Sequence, residues 1–208
     1  VEVIIKPLDA NSSQAEQMAY SYTLPADGLV YIRQLLVADP ETPNQIALIQ
    51  NLSIDTQLLE QKVNELQKAY ANKDQTNIKR NAEAIINLIV GSASQDHKDW
   101  NGDGQTADPG NGYGFLLNGN NLGDVQAIFS HADYVANSSG ASQNMIARSG
   151  EVKVCAENLA QWLPQLKELS QQILISASPA DMEKPIQDTV TLVGKIRNGF
   201  DLNGDTTI

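Results

Sequence analysis

The chain has a single cysteine, Cys155, among its 208 residues. One thiol cannot form an internal disulfide, and it excludes the paired-cysteine motifs of structural zinc sites and redox sites. Aromatic residues make up only 5% of the sequence. The core must therefore be built from aliphatic side chains, and a stacking platform for nucleic acid bases is not expected. Because the residues around Cys155 are small and apolar, we predict that its side chain is buried.

Basic residues and long apolar runs are also scarce. Lysine and arginine number 14 against 25 aspartates and glutamates, so the net charge is −11 at pH 7. The basic residues do not cluster, and such a chain repels a phosphate backbone, so nucleic acid is not a predicted partner. No apolar run reaches the length of about 18 residues that spans a membrane. Hydrophobic residues still make up 41% of the chain, which is enough for one core.

Amphipathic segments make up most of what remains. Apolar residues recur every three or four positions in several long stretches from residue 26 onward, which is the spacing of packed helices. Residues 1–6 are instead rich in valine and isoleucine and predict a short strand that ends at Pro7. We therefore predict an extended N-terminal arm over residues 1–25 and a helical bundle over residues 26–208. The fold class is mainly α, with antiparallel helices joined by short connections.

Several residues mark where the predicted helices begin and end. Thr42 with Pro43, and Ser178 with Pro179, are an N-cap residue followed by proline at the first helical position. Gly91 is a typical helix end. We expect a break near residues 53–55, and Pro164 is expected to kink or divide a long helix that starts near residue 141.

Residues 92–120 form a long loop rich in glycine, asparagine and aspartate, and a loop of this length inside a compact chain is usually functional. Oxygen-bearing side chains recur there at every second residue from position 99. This spacing lets a tightly curled backbone aim successive oxygens at one centre, and Ca²⁺ takes about six to eight oxygens. Gly104 stands where the backbone must bend sharply. The expected ligands are the side chains of Asp99, Asn101, Asp103 and Asp108 and the backbone carbonyl of Gln105.

A second copy of the pattern lies over residues 201–208. Oxygen-bearing side chains alternate there in the same way, although Thr206 stands where a glycine is expected. No late carboxylate follows in this copy, so the C-terminal carboxylate or a side chain from elsewhere must complete the shell. The sequence therefore predicts a second, weaker calcium site. Its expected ligands are Asp201, Asn203, Asp205 and Thr207.

Both segments resemble the calcium loops of the EF-hand and dockerin families, whose pattern is D-x-[DN]-x-[DN]-G. The first departs from it, because the twelfth position is Gly110 and the acidic residue, Asp108, comes at the tenth. That spacing is more similar to Excalibur-type and other shortened loops. The resemblance implies calcium loops over residues 96–110 and 201–208. By likeness to paired EF-hands, it also implies a short β-bridge between Thr106 and Ile208.

Incomplete calcium loops of this kind fill where calcium is millimolar, which is outside cells. We therefore predict an exported bacterial protein: a secreted or cell-envelope module that binds calcium and is not catalytic. It would act in structure, through a protein partner, or by self-association. One alternative is a metal-dependent enzyme that uses His131 with Asp133 and Glu157. Another is a redox or transition-metal carrier that uses His131 and neighbouring acids, although no zinc-type spacing is present.

Overall fold

The computed structural model describes the backbone of residues 2–5 and 17–21, and residues 26–199 in full. Strands β1 (Glu2–Ile5) and β2 (Gln17–Ser21) pair antiparallel, with an irregular register between Val3 and Ile4. Helices dominate the rest of the described chain, so the prediction of a mainly α fold is confirmed. They are α1 (Ala26–Leu36), α2 (Leu48–Ala71), α3 (Gln75–Val90), α4 (Gly123–Ala136), α5 (Gln143–Ile175) and α6 (Pro179–Asn198).

Helix α2 begins later than the sequence predicts. Thr42 and Pro43 lead into a single turn of 3-10 helix, Pro43–Gln45, and the Thr42 hydroxyl donates to the carbonyl of Ile46 at 2.6 Å. Helix α2 starts at Leu48 and continues through residues 53–55, so the expected break there is wrong. The reason is tertiary packing, which overrides the weak helix propensity of these residues once the apolar face is buried.

Helix α5 is not divided by its proline. It runs for 33 residues with Pro164 inside it, although a proline removes one backbone hydrogen bond. Leu163 and Leu166 on either side are fully buried, and their packing holds the helix together. The other predicted signals are confirmed: α3 ends at Gly91, which has a φ of 71°, and α6 begins after Ser178, whose hydroxyl accepts the N–H of Asp181.

Among the helices of the described residues, α3 is the most buried. It packs against both α2 and α5, and its residues 81–90 are shielded from solvent on every face. Aliphatic side chains fill most of this stretch, as the low aromatic content requires. Two polar side chains, Glu83 and Asn87, are nevertheless wholly buried in it. Their partners lie in the loop that follows, which α3 thereby positions.

The outer face of α5 corrects one prediction. Cys155 is exposed, whereas the next residue, Ala156, faces the core. Successive residues of a helix point in directions about 100° apart, so apolar sequence neighbours do not ensure burial. Of the helices in the described chain, none has both the length and the apolar character needed to cross a membrane.

Candidate functional site

The loop after α3 is fastened to that helix by a buried carboxylate. Glu83 Oε2 accepts the N–H groups of Trp100 and Asn101, both at 3.1 Å, and Oε1 accepts that of Ala107 at 2.6 Å. Hydrogen bonds to a charged acceptor are stronger than neutral ones. Glu83 therefore holds both the beginning and the end of the segment that carries the predicted ligands.

Asn87, one turn further along α3, adds a second fastening. Its Nδ2 donates to the carbonyls of Lys98 at 3.0 Å and Ala107 at 2.9 Å, and its Oδ1 accepts the N–H of Lys98 at 3.2 Å. Glu83 and Asn87 are four residues apart and so share one face of the helix. The sequence reasoning missed both, although two polar residues at that spacing in an aliphatic helix were a readable signal.

Asp99, the first residue of the predicted calcium loop, curls the backbone around its own carboxylate. Oδ1 accepts the N–H of Gly102 at 2.7 Å, and Oδ2 accepts that of Gly104 at 2.8 Å. The hydrogen bond from Gly104, and then that from Gly102, lower the pKa of Asp99. Its carboxylate is therefore charged at neutral pH. Gly104 has a φ of 84°, in the left-handed region that favours glycine.

Asn101 and Asp103 repeat this arrangement along the loop. Asn101 Oδ1 accepts the N–H of Asp103, and Asp103 Oδ1 accepts that of Gln105, each at 2.8 Å. The Gln105 side chain lies 3.4 Å from the guanidinium of Arg80 on α3. The role predicted for Gln105 uses its backbone carbonyl, so this side-chain bond does not compete with it.

Asp108 and the upstream residues Asp96 and His97 contact other side chains. Asp108 Oδ2 lies 2.9 Å from His97 Nε2, and its Oδ1 accepts the N–H of Gly110 at 2.9 Å. Asp96 forms an ion pair with Lys167 of α5, which lowers the pKa of its carboxyl. Within the described residues, no three side chains of histidine, cysteine, aspartate or glutamate are grouped closely enough to hold a metal ion.

The donors of this loop are nevertheless of the kind that Ca²⁺ prefers, since all are oxygens. A carboxylate has about four lone-pair positions, so an oxygen that accepts a backbone N–H can still bind a cation. Asp108 would join them with a carboxylate that also contacts His97 at 2.9 Å. The second predicted set, Asp201, Asn203, Asp205 and Thr207, lies outside the described residues, as does Ile208 of the expected β-bridge.

The residues of the alternative metal site, His131, Asp133 and Glu157, do not form a group in the described chain. His131 Nδ1 lies 3.9 Å from Asp39 Oδ2, and burial lowers the pKa of the imidazole, which keeps it neutral at pH 7. Asp133 forms an ion pair with Lys153 at 2.5 Å, and Glu157 is exposed on α5.

A second polar cluster, which the sequence reasoning missed, lies where α2 packs against α4. Asp55 and Asp124 are both 0% exposed. Asn51, one turn before Asp55 on α2, donates to Asp124 Oδ1 at 2.8 Å. Asn111, just beyond the predicted calcium loop, donates to Asn51 Oδ1 at 2.7 Å. Two polar residues four apart in α2 were the available signal, but Asp124 is distant in sequence.

Comparison of the chain with protein-family models, with curated proteins and with solved structures finds no match. The fold and the site therefore define only a class: a mainly helical protein whose most buried helix fastens an acidic, glycine-containing loop.

Proposed function

We propose that the chain is a calcium-binding helical module in which residues 99–108 hold one Ca²⁺ ion. Asp99, Asn101 and Asp103 supply side-chain oxygens, and Gln105 supplies its backbone carbonyl. Asp108 joins them with the carboxylate that also contacts His97. The observation that carries the proposal is the curl of the backbone around the Asp99 carboxylate, with Gly104 left-handed at the sixth position of the loop.

The role we propose for the ion is structural and not catalytic. The polar groups behind the loop, Glu83 and Asn87, already use their oxygens and amide hydrogens to hold backbone. Calcium would then stabilise the folded state by mass action, by about 2.7 kcal/mol at a hundredfold excess over Kd. The loop faces solvent at residues 102–106, so the ion can enter from outside.

We further propose that this module works outside the cytoplasm, as a secreted or cell-envelope protein that associates with a protein partner or with itself. Millimolar calcium in that setting would keep an incomplete loop filled. The support for association is apolar surface on and after α1, where Val30, Leu36 and Val37 are all more than half exposed. Size analysis of the protein with calcium and with chelator tests self-association directly.

Calorimetric titration of chelator-stripped protein with CaCl₂ tests the calcium site. The wild-type protein should bind with a Kd between micromolar and millimolar and gain thermal stability. Asp103→Ala should lose the site in the loop. Asp188→Ala, which removes a carboxylate paired with Lys184 on α6, is the matched control and should bind as the wild type does. Equal binding by wild type and Asp103→Ala would refute the proposed site.

A further inference from the structure

Asp55 and Asp124 are buried carboxyl groups with no cationic partner among residues 26–199. They lie within hydrogen-bonding reach of each other, but carboxylates only accept hydrogen bonds. Both oxygens of Asp55 and Oδ2 of Asp124 therefore have no hydrogen-bond donor among the described residues, and all three are shielded from solvent. Within residues 26–199, neither carboxylate forms an ion pair. A buried carboxylate in that state is costly unless something positive joins it.

The surroundings of the pair are negative as well. Asp108 repels the charge of Asp55. Burial first, and then the charges of Asp124, Asp39 and Glu41, raise the pKa of the buried phenol of Tyr113. This part of the bundle interior therefore has an electrostatic potential that attracts a cation.

A shared proton does not satisfy the pair. If Asp124 is protonated, its Oδ2 can donate to one oxygen of Asp55. Burial raises the pKa of both carboxyls, so the pair does take up a proton readily when nothing else is bound. The second oxygen of Asp55 still has no partner, and one negative charge remains in the interior. A doubly charged cation neutralises both carboxylates and engages all three oxygens.

We propose that Asp55 and Asp124 bind one divalent, oxygen-preferring cation, of the type of Ca²⁺, Mg²⁺ or Mn²⁺, between α2 and α4. Asp55 supplies two oxygens and Asp124 supplies one. Asn51 holds the other oxygen of Asp124 at 2.8 Å and so fixes the orientation of that carboxylate. This site is separate from residues 99–108, and its proposed ligands are none of the residues predicted there.

Removal of both predicted calcium loops isolates this site. The background variant Asp103→Ala/Asp205→Ala, stripped with chelator, is titrated with CaCl₂, MgCl₂ and MnCl₂ by calorimetry. We expect one remaining equivalent of cation, and the metal that binds most tightly identifies the occupant. Addition of Asp124→Asn, or separately of Asp55→Asn, should abolish that equivalent, whereas addition of Asp188→Asn should leave it unchanged.

Proton release gives a test that does not depend on those further substitutions. Titration of the background variant at pH 7 in two buffers of different ionisation heat should show about one proton released per cation, because the metal displaces the proton from the pair. Thermal melts with and without metal show whether each variant is folded. Absence of binding in the folded background variant would overturn the inference and leave a proton as the only occupant. If Asp103→Ala abolishes calcium binding and substitution of Asp55 or Asp124 has no effect, the proposed function is supported and this second site is refuted.

Discussion

Glu83 and Asp55 make an instructive pair, because both are 0% exposed carboxylates in neighbouring helices of one bundle. Glu83 accepts three backbone N–H groups, all from the loop that follows its own helix. Neither oxygen of Asp55 accepts an N–H group from the part of the chain that the structure describes, and its nearest polar neighbour is the Asp124 carboxyl. Burial is therefore the same for the two, and the difference lies in what the chain supplies. Glu83 is completed by backbone N–H groups of the protein, whereas Asp55 faces a second buried carboxyl group, that of Asp124.

The largest expected effect on stability is at Glu83, whose two oxygens both accept backbone hydrogen bonds. Glu83→Ala leaves three loop N–H groups without their buried acceptor, and it should lower the free energy of unfolding by about 3 kcal/mol or more. Urea denaturation measures it. Glu157→Ala, at an exposed position on α5, is the control and should stay within about 0.5 kcal/mol of wild type. A loss below about 1 kcal/mol for Glu83→Ala would mean that water replaces the carboxylate cheaply.

A change in pH should alter the free energy of unfolding through Asp55 and Asp124. The pKa values of Asp55 and Asp124 are raised in the folded protein, so the folded state binds protons more tightly than the unfolded state. Stability from this source is complete below the ordinary aspartate range and is lost as the pH rises through the raised pKa values. In chelator, the free energy of unfolding should fall by about 1 kcal/mol or more between pH 5 and pH 8.5. Asp124→Asn should flatten this slope, Asp188→Asn should not, and an unaltered slope in Asp124→Asn would contradict the assignment.

Asp55→Asn should change the free energy of unfolding in the opposite direction to Glu83→Ala. It removes a buried charge that has no partner, so in chelator at pH 8 it should leave stability unchanged or raise it by about 1 kcal/mol. In the presence of metal the order inverts, because only the wild type gains from the cation. Chemical denaturation with and without metal checks both halves. Destabilisation by Asp55→Asn in chelator would show that Asp55 is satisfied after all.

The smallest effect is expected in the exposed loop. A Cβ at Gly104 meets no atom of the described residues within 4 Å, so Gly104→Ala costs only the left-handed backbone conformation, about 1 kcal/mol. Gly150→Ala, in the open interior of α5, is the matched control and should gain about 0.5 kcal/mol. Melting of both variants in chelator separates this backbone cost from any loss of calcium affinity. A neutral Gly104→Ala would mean that the loop can adopt another curl.

The local sequence pattern predicted the helices and the loop. It could not predict which side chains meet, because those contacts depend on the tertiary structure. Gly91 marked the end of α3, and Ser178 with Pro179 marked the start of α6, because the residue types at helix ends follow from local backbone chemistry. Asp108 was expected among the ligands from its spacing alone. No spacing rule shows that His97 lies 2.9 Å from it. Asp124 was missed for the same reason, because its neighbours Asn51 and Asp55 come from another helix.

The fastening of the loop to α3 has a consequence for signalling. Residues 98–107 are tied to Glu83 and Asn87 at both ends, so their shape does not depend on an ion arriving. A calcium sensor works by changing shape when it fills. A loop whose backbone is already held in place changes little in shape when an ion binds. Calcium bound to it would stabilise the structure and would not transmit a signal.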